Sequence, residues 1–343
     1  MTPLATFGLP EIIAGVMLIA LNAYVLTGGA DFGGGVWDLL ASGPSRDEQR
    51  SLIEQSIAPI WEANHVWLIL VIVVLFTAFP PAFAAISTAL HIPLTLLLIG
   101  IVLRGTTFTF RAHDVKRDDV QRRWSLVFSI ASIITPLLLG IVLGAIASGT
   151  IRVENGVVVS GFLKSWLAPF PVGVGFFALS LFAFLAAVYL TVEASENELQ
   201  DDFRLRALIA GIAVGILALT VFILAGTGAP TVRAGISRSW WALALHLSTA
   251  VVAVGAFYTL WTRKYKVARI CAVAQVTLIL VGWALAQFPY LVEPDMTIYS
   301  AAAPRATLQL LFVALAAGVL VLFPSYYYLF RIFKRSLTRE YRL

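Results

Sequence analysis

Apolar positions along the chain gather into nine long runs, at approximately 10–28, 57–79, 83–103, 124–147, 168–192, 205–226, 240–261, 267–288 and 306–330. A helix crossing a bilayer needs roughly 20 mainly apolar residues, and each run is near that length. Polar positions are confined to the short connections between runs, none of which is long enough for a soluble domain. The pattern predicts an all-α integral membrane protein, a single membrane domain over 1–343 with nine transmembrane helices in bundles. Pro80-Pro81 ends the second run, because proline lacks an amide donor and restricts the residue before it. Pro93 and Pro136 fall inside spans, where neighbouring helices tolerate kinks. The stretch 28–56 reads as a loop that opens Gly-Gly-Ala-Asp-Phe-Gly-Gly-Gly. These glycines suit close backbone approach at the end of the first helix. A phosphate cradle would need a following lysine or a strand-turn-helix setting, and neither is present.

Composition strengthens the membrane reading. Charged residues make up 13% of the chain, against about 25% in soluble domains, and the mean hydropathy is +0.89. Of the 24 lysines and arginines, 19 fall in the loops after runs one, three, five and seven or in the C-terminal tail. The other five lie in the alternate loops, and the N-terminal segment has none. The positive-inside rule then puts the C-terminus in the cytoplasm and the N-terminus in the periplasm. The net charge of +5 reports topology and lipid headgroup contact and implies no nucleic acid. The first eleven residues lack a basic residue, so the opening run reads as a membrane helix and not as a removed signal peptide. A single cysteine, Cys271, excludes a disulfide within the chain and a Cys-x-x-Cys-His haem attachment.

Candidate chemistry centres on 57–68, Ile-Ala-Pro-Ile-Trp-Glu-Ala-Asn-His-Val-Trp-Leu. Glu62 and His65 are three apart and share a helical face. Asn64 lies between Trp61 and Trp67, which would pack around them. An ionisable group at a helix centre costs roughly 2.5–3.5 kcal/mol on insertion scales, and Glu62 is the acid expected well within a run. If the second and third spans are antiparallel neighbours turning at Pro80, Arg104 comes within reach of Glu62. Glu62 precedes Pro80 by about 27 Å of helix rise and Arg104 follows Pro81 by about 34 Å. A structural ion pair and a proton-conducting carboxyl are both open. Glu62-x-x-His65 is half of a di-iron motif, but the second half is missing, so no metal is expected. Haem ligation would fall to His65, His91 or His246, and each more simply bonds a neighbouring helix. The five carboxylates in 193–202 read as a solvated loop. Asp31 stands among the glycines, near the cytoplasmic surface.

The chain resembles subunit II of the cytochrome bd-type quinol oxidases. The resemblance rests on Gly29-x-Asp31-x-Gly33, on Ile57-Ala58-Pro59-x-Trp61-Glu62-x-Asn64-x-Val66-Trp67-Leu68, and on Phe76-x-Ala78-x-Pro80. Leu103-Arg104-Gly105 and Phe110-Arg111 continue it, and Ala286-Gln287-Phe288-Pro289 adds a weaker match. It implies a nine-helix chain without a catalytic centre or cofactor of its own, in a bacterial inner membrane. The implied partner is a haem-bearing subunit I that holds haem b, haem d and the quinol site, with small accessory subunits and membrane lipid as further neighbours. It also implies a proton pathway from the cytoplasm through Glu62, with Arg104, His65, Asn64 and Asp31 supplying or tuning hydrogen bonds. Many relatives carry an aspartate where Gly28 stands and an acid where Thr109 stands, so the implied route has fewer carboxyls here. These departures point to the cyanide-insensitive type. The competing reading is a proton-coupled secondary transporter. Transporters commonly break a helix at matching places in two halves, and 168–290 has no counterpart of the glycine stretch.

Overall fold

A computed structural model describes residues 8–57, 61–113 and 118–340. Its helices follow the nine runs with four instructive differences. The first helix, α1, spans Leu9–Leu39 and so passes straight through the glycine-rich stretch expected to be a loop. Four glycines in seven residues are costly in an isolated helix. Here they are repaid by proximity to α6 (Asp118–Ala147) and α7 (Pro169–Glu193). A Cβ on Gly33 would overlap the carbonyl of Phe182 on α7, and one on Gly35 would overlap Ser132 on α6. The small residues let three backbones meet, which is how membrane helices gain packing without a hydrophobic drive.

The polar stretch after α1 is itself a helix, α2 (Arg46–Ile57), which buries Gln49, Ile53 and Ile57. The next crossing, α3, spans Trp61–Ala78. The third expected span is divided. A short helix α4 (Pro80–Ala89) meets α5 (His91–His113) at a bend of 86°. Pro80 and Pro81 start α4, where a missing amide donor costs nothing. Pro93 likewise lies in the first turn of α5 and introduces no kink. The remaining helices are α8 (Asn197–Gly228), α9 (Pro230–Arg238), α10 (Ala242–Trp261), α11 (Tyr265–Gln287) and α12 (Arg305–Glu340). Among the described residues eight helices are long and apolar enough to cross a membrane, and the bent pair α4–α5 makes a ninth.

The fourth difference is that the fold is helical without being purely so. Two antiparallel hairpins lie between crossings: β1 (Val153–Glu154) with β2 (Val157–Val158), and β3 (Tyr290–Val292) with β4 (Met296–Thr297). Asn155 and Gly156 form the two-residue turn of the first, both at positive φ, the geometry that an Asn-Gly pair favours. Asp295 ties the hairpins together, accepting from Arg152 Nε at 3.0 Å and from the Val153 amide at 2.7 Å.

α1 packs against α3, α6, α7 and α11 and is the axis of the bundle. One core cluster, with Phe32, Trp37, Phe182, Phe203 and Leu260, lies toward the α2 end. A second, with Ile13, Val74, Phe79, Ile151 and Val292, lies under the hairpins. Three of the five acidic residues of 193–202 are drawn into ion pairs at the α2 end. Glu193 meets Arg269, Asp201 meets Arg204 and Arg263, and Asp202 meets Arg206.

Candidate functional site

The continuation of α1 changes which acid is buried. Asp31 is 4% exposed, while Glu62 is exposed. The expectation that Glu62 is the acid deep within a span is therefore overturned. Glu62 sits in the first described turn of α3. Glu62 heads an outward stripe that continues through Val66, Ile69, Val73 and Phe76 at helical spacing. His65, one position off that stripe, is half-buried.

Arg104 does not reach back to Glu62 either. α5 packs chiefly on α6, and α3 chiefly on α1. The Arg104 side chain is 2% exposed and turns inward to α1. Its Nη2 donates to the Asp31 carbonyl at 2.9 Å and its Nε to Ser132 Oγ at 3.2 Å. The guanidinium carbon lies 4.6 Å from the Phe32 ring centre and 5.3 Å from that of Phe128. These are cation–π distances, favourable where water is excluded.

Asn64, fully buried on α3, completes the group. Its Nδ2 donates to Asp31 Oδ2 at 2.6 Å. Asp31, Asn64 and Arg104 thus meet from α1, α3 and α5, with Ser132 from α6. A buried carboxylate and a buried guanidinium each lose several kcal/mol of hydration, offset only by good hydrogen bonds and nearby opposite charge. Here the two charges balance. The Oδ1 of Asn64 is buried with no hydrogen-bond partner among the described residues, so the group retains an unused acceptor.

His65 closes one side. Its Nδ1 lies 2.8 Å from the Trp61 carbonyl. Its ring stands edge-on to Tyr24, Phe32 and Trp61 at 6.1, 6.2 and 6.0 Å. Trp61 lies over Gly105, where an added Cβ would sit 3.0 Å from the indole. Trp67 packs at the edge of the core. Residues 58–60 of the motif lie outside the described residues.

Five contributors escaped sequence reasoning: Tyr24, Phe32, Phe128, Ser129 and Ser132. Tyr24 is 1% exposed and its hydroxyl is buried without a hydrogen-bond partner among the described residues. Its ring fills the space beside Gly28, where a Cβ would sit 2.8 Å from it. That is the position at which the resemblance implies an aspartate in relatives. Thr109 is exposed and donates to the Gly105 carbonyl at 3.0 Å. Tyr24 also borders a cavity of about 640 Å³ lined by α1 and α6–α11, whose walls are almost wholly apolar. Among the described residues no three His, Cys, Asp or Glu side chains gather as a metal site.

Fold and site together define a multi-pass helical membrane protein built around buried charge. The family described as cytochrome bd terminal oxidase subunit II matches residues 9–333. A relative from Bacillus subtilis, named "Putative cytochrome bd menaquinol oxidase subunit II", is 23% identical over 91% of this chain and 92% of its own length. "Cytochrome bd-I ubiquinol oxidase subunit 2" of Escherichia coli is 26% identical over 63% of this chain and 55% of its own length. A chain from the structure of bd oxidase from Geobacillus thermodenitrificans superposes with a TM-score of 0.80 at 22% identity. The match covers 95% of this chain and 98% of that one, and shows a common fold. The chain belongs to the cytochrome bd terminal oxidase subunit II family. It is a subunit of a bacterial respiratory oxidase complex, and the family assignment sets the transporter reading aside.

Proposed function

We propose that this chain is the non-haem subunit of a quinol-oxidising bd complex and that it conducts protons from the cytoplasm toward the oxygen-reducing centre. Quinol as the electron donor is supported by the names of the relatives from Bacillus subtilis and Escherichia coli. Subunit I is the partner, and haem b and haem d, held there, supply the electron transfer to oxygen. In this reading the N-terminus is periplasmic and the C-terminus and the α2 end are cytoplasmic, which the distribution of basic residues supports.

The observation that carries the proton reading is Asp31: a carboxyl buried between crossing helices, hydrogen-bonded to Asn64 and set beside Arg104. Ionisable groups kept at membrane depth commonly mark proton relays. Reduction of oxygen to water consumes one proton for each electron, so a route through protein must supply them. Arg104 holds the Asp31 backbone carbonyl and brings a compensating charge near the carboxyl, and Asn64 fixes one carboxyl oxygen. His65 offers its second ring nitrogen beside Tyr24 and Phe32. Glu62, on an outward face near the α2 end, is the acid placed to exchange protons with a neighbouring surface. Each described span histidine has Nδ1 against a carbonyl of its own turn, at Trp61, Thr88 or Ala242.

Reconstitution of the two-subunit complex in vesicles tests this. With a reduced quinol, Glu62→Gln is expected to slow turnover or proton release by at least about tenfold, within the usual range for a positioned proton-transfer group, and to leave assembly intact. Full oxygen consumption and full acidification by the assembled variant would overturn the role of Glu62.

A further inference from the structure

Asp38 is the second buried acid of α1, and the motifs do not include it. It is 1% exposed. Tyr24, Asp31 and Asp38 follow one another at intervals of seven, close to two helical turns, so they form one stripe on α1 with about 10.5 Å of rise between them. Facing this stripe, α6 presents Ser129 and Ser132, both essentially fully buried. Ser129 Oγ donates to Asp38 Oδ2 at 3.1 Å, and Ser132 Oγ accepts from Arg104 Nε at 3.2 Å. Residues three apart on a helix are about 5–6 Å apart at Cβ, a span that one water bridges. The close approach at Gly35 brings α6 against this stretch of α1. A polar seam therefore runs from Asp31 and Arg104 past Ser132 and Ser129 to Asp38.

The far end of the seam opens on α2. Arg50 Nε lies 3.8 Å from Asp38 Oδ1, and the same guanidinium donates to the Asp38 carbonyl at 3.4 and 3.3 Å. The Arg50 side chain is 24% exposed, so it bridges the buried carboxyl and the surface. Its tighter hold is on the carbonyl, the usual way an arginine caps a helix C-terminus; the carboxylate contact is longer and looser. A cap with a counter-ion would explain Arg50 and one oxygen of Asp38. It does not require the second oxygen to be engaged by a buried hydroxyl that leads inward.

We propose that Asp38 is a proton-carrying acid at the aqueous mouth of this seam. It takes a proton from a hydrated proton in the water beside Arg50, where an O–H bond of the hydronium breaks and water remains as the carboxyl O–H forms, and it passes a proton on through the Ser129 and Ser132 hydroxyls toward Asp31. No electron is transferred in the step, and the carboxylate is regenerated. The inference deepens the proton-conducting reading and rests on it.

The test uses the full two-subunit complex in vesicles, supplied with a reduced quinol and oxygen, with proton uptake and the solvent deuterium isotope effect on turnover as readouts. Asp38→Asn is expected to slow uptake by about tenfold or more and to raise the isotope effect. Asp38→Glu should recover most of the rate, and Ser129→Ala should slow uptake while keeping the Arg50–Asp38 pair. If Asp38→Asn assembles with wild-type uptake and isotope effect while Asp31→Asn is impaired, Asp38 is only a counter-ion and the inference fails alone. If both variants keep wild-type uptake, the underlying proton reading fails with it. If Asp38→Asn does not assemble, Ser129→Ala decides: an unchanged rate and isotope effect overturns the proposal.

Discussion

α1 and α3 are both apolar crossings with an acid in a conspicuous motif, and they treat that acid in opposite ways. On α3, Glu62 sits in the first described turn, on an exposed stripe. On α1, Asp31 sits eight residues before the helix end and is held by an amide and a guanidinium from two other helices. The difference comes from what surrounds each acid, not from the acid. Glycines near Asp31 let α6 and α7 close onto α1, whereas the face of α3 that carries Glu62 meets no neighbouring helix among the described residues. Burial of charge in this bundle is therefore a product of backbone proximity.

Filling that proximity should break the contrast most severely. Gly33→Leu would drive a side chain into the α7 backbone at Phe182. Overpacking typically costs about 1–3 kcal/mol, and more where backbone must move, so loss of assembled complex in detergent extracts is the expected outcome. Next is Arg104→Met, which strands Asp31 as an uncompensated buried charge. A cost of about 3–5 kcal/mol is expected, read as a fall in the thermal midpoint of the purified complex. The double variant with Asp31→Asn should recover part of it, and no recovery would mean that the two charges are not coupled. Asn64→Ala should cost about 1–3 kcal/mol by removing the donor to Asp31. Glu62→Gln should stay within about 0.5 kcal/mol, as expected of an exposed substitution.

The smallest effect lies at the hairpin end, in Glu293. It is buried, one carboxyl oxygen lacks a partner among the described residues, and burial pushes its pKa up despite a hydrogen bond from Thr231. The native state then holds this proton to higher pH than the unfolded chain does. The stability it contributes falls as pH rises from the ordinary carboxylate range through the raised native value. Glu293→Gln should flatten that decline, so the variant gains on the parent at pH 7 relative to pH 4 in thermal unfolding.

Much of this was legible from hydropathy alone, because the number and order of crossings follow from runs of apolar residues near the bilayer thickness. The misplaced features share one cause: local preference was overridden by packing that a linear pattern does not contain. Gly28–Gly35 read as a break because glycine disfavours a helix in isolation, yet α6 and α7 needed that lack of side chains. Arg104 comes within reach of Glu62 only if successive spans are neighbours; the 86° bend between α4 and α5 carries α5 across to α6 instead. Some signals were present and unused. The seven-residue interval joining Tyr24, Asp31 and Asp38, the Ser129 and Ser132 pair, and the Asn155-Gly156 turn all follow from spacing. The partnership of Asn64 with Asp31 does not, since it joins residues 33 apart through tertiary packing.

Asp31→Asn in the reconstituted complex tests the central claim, that the buried carboxyl of α1 carries protons, most directly. The measurement is proton uptake after an oxygen pulse, with Asp31→Glu as the conservative control and the amount of assembled complex recorded for both. Uptake reduced by at least about tenfold in the asparagine variant, with the glutamate variant substantially restored, is the predicted result. An assembled asparagine variant that takes up protons at the parental rate would contradict it.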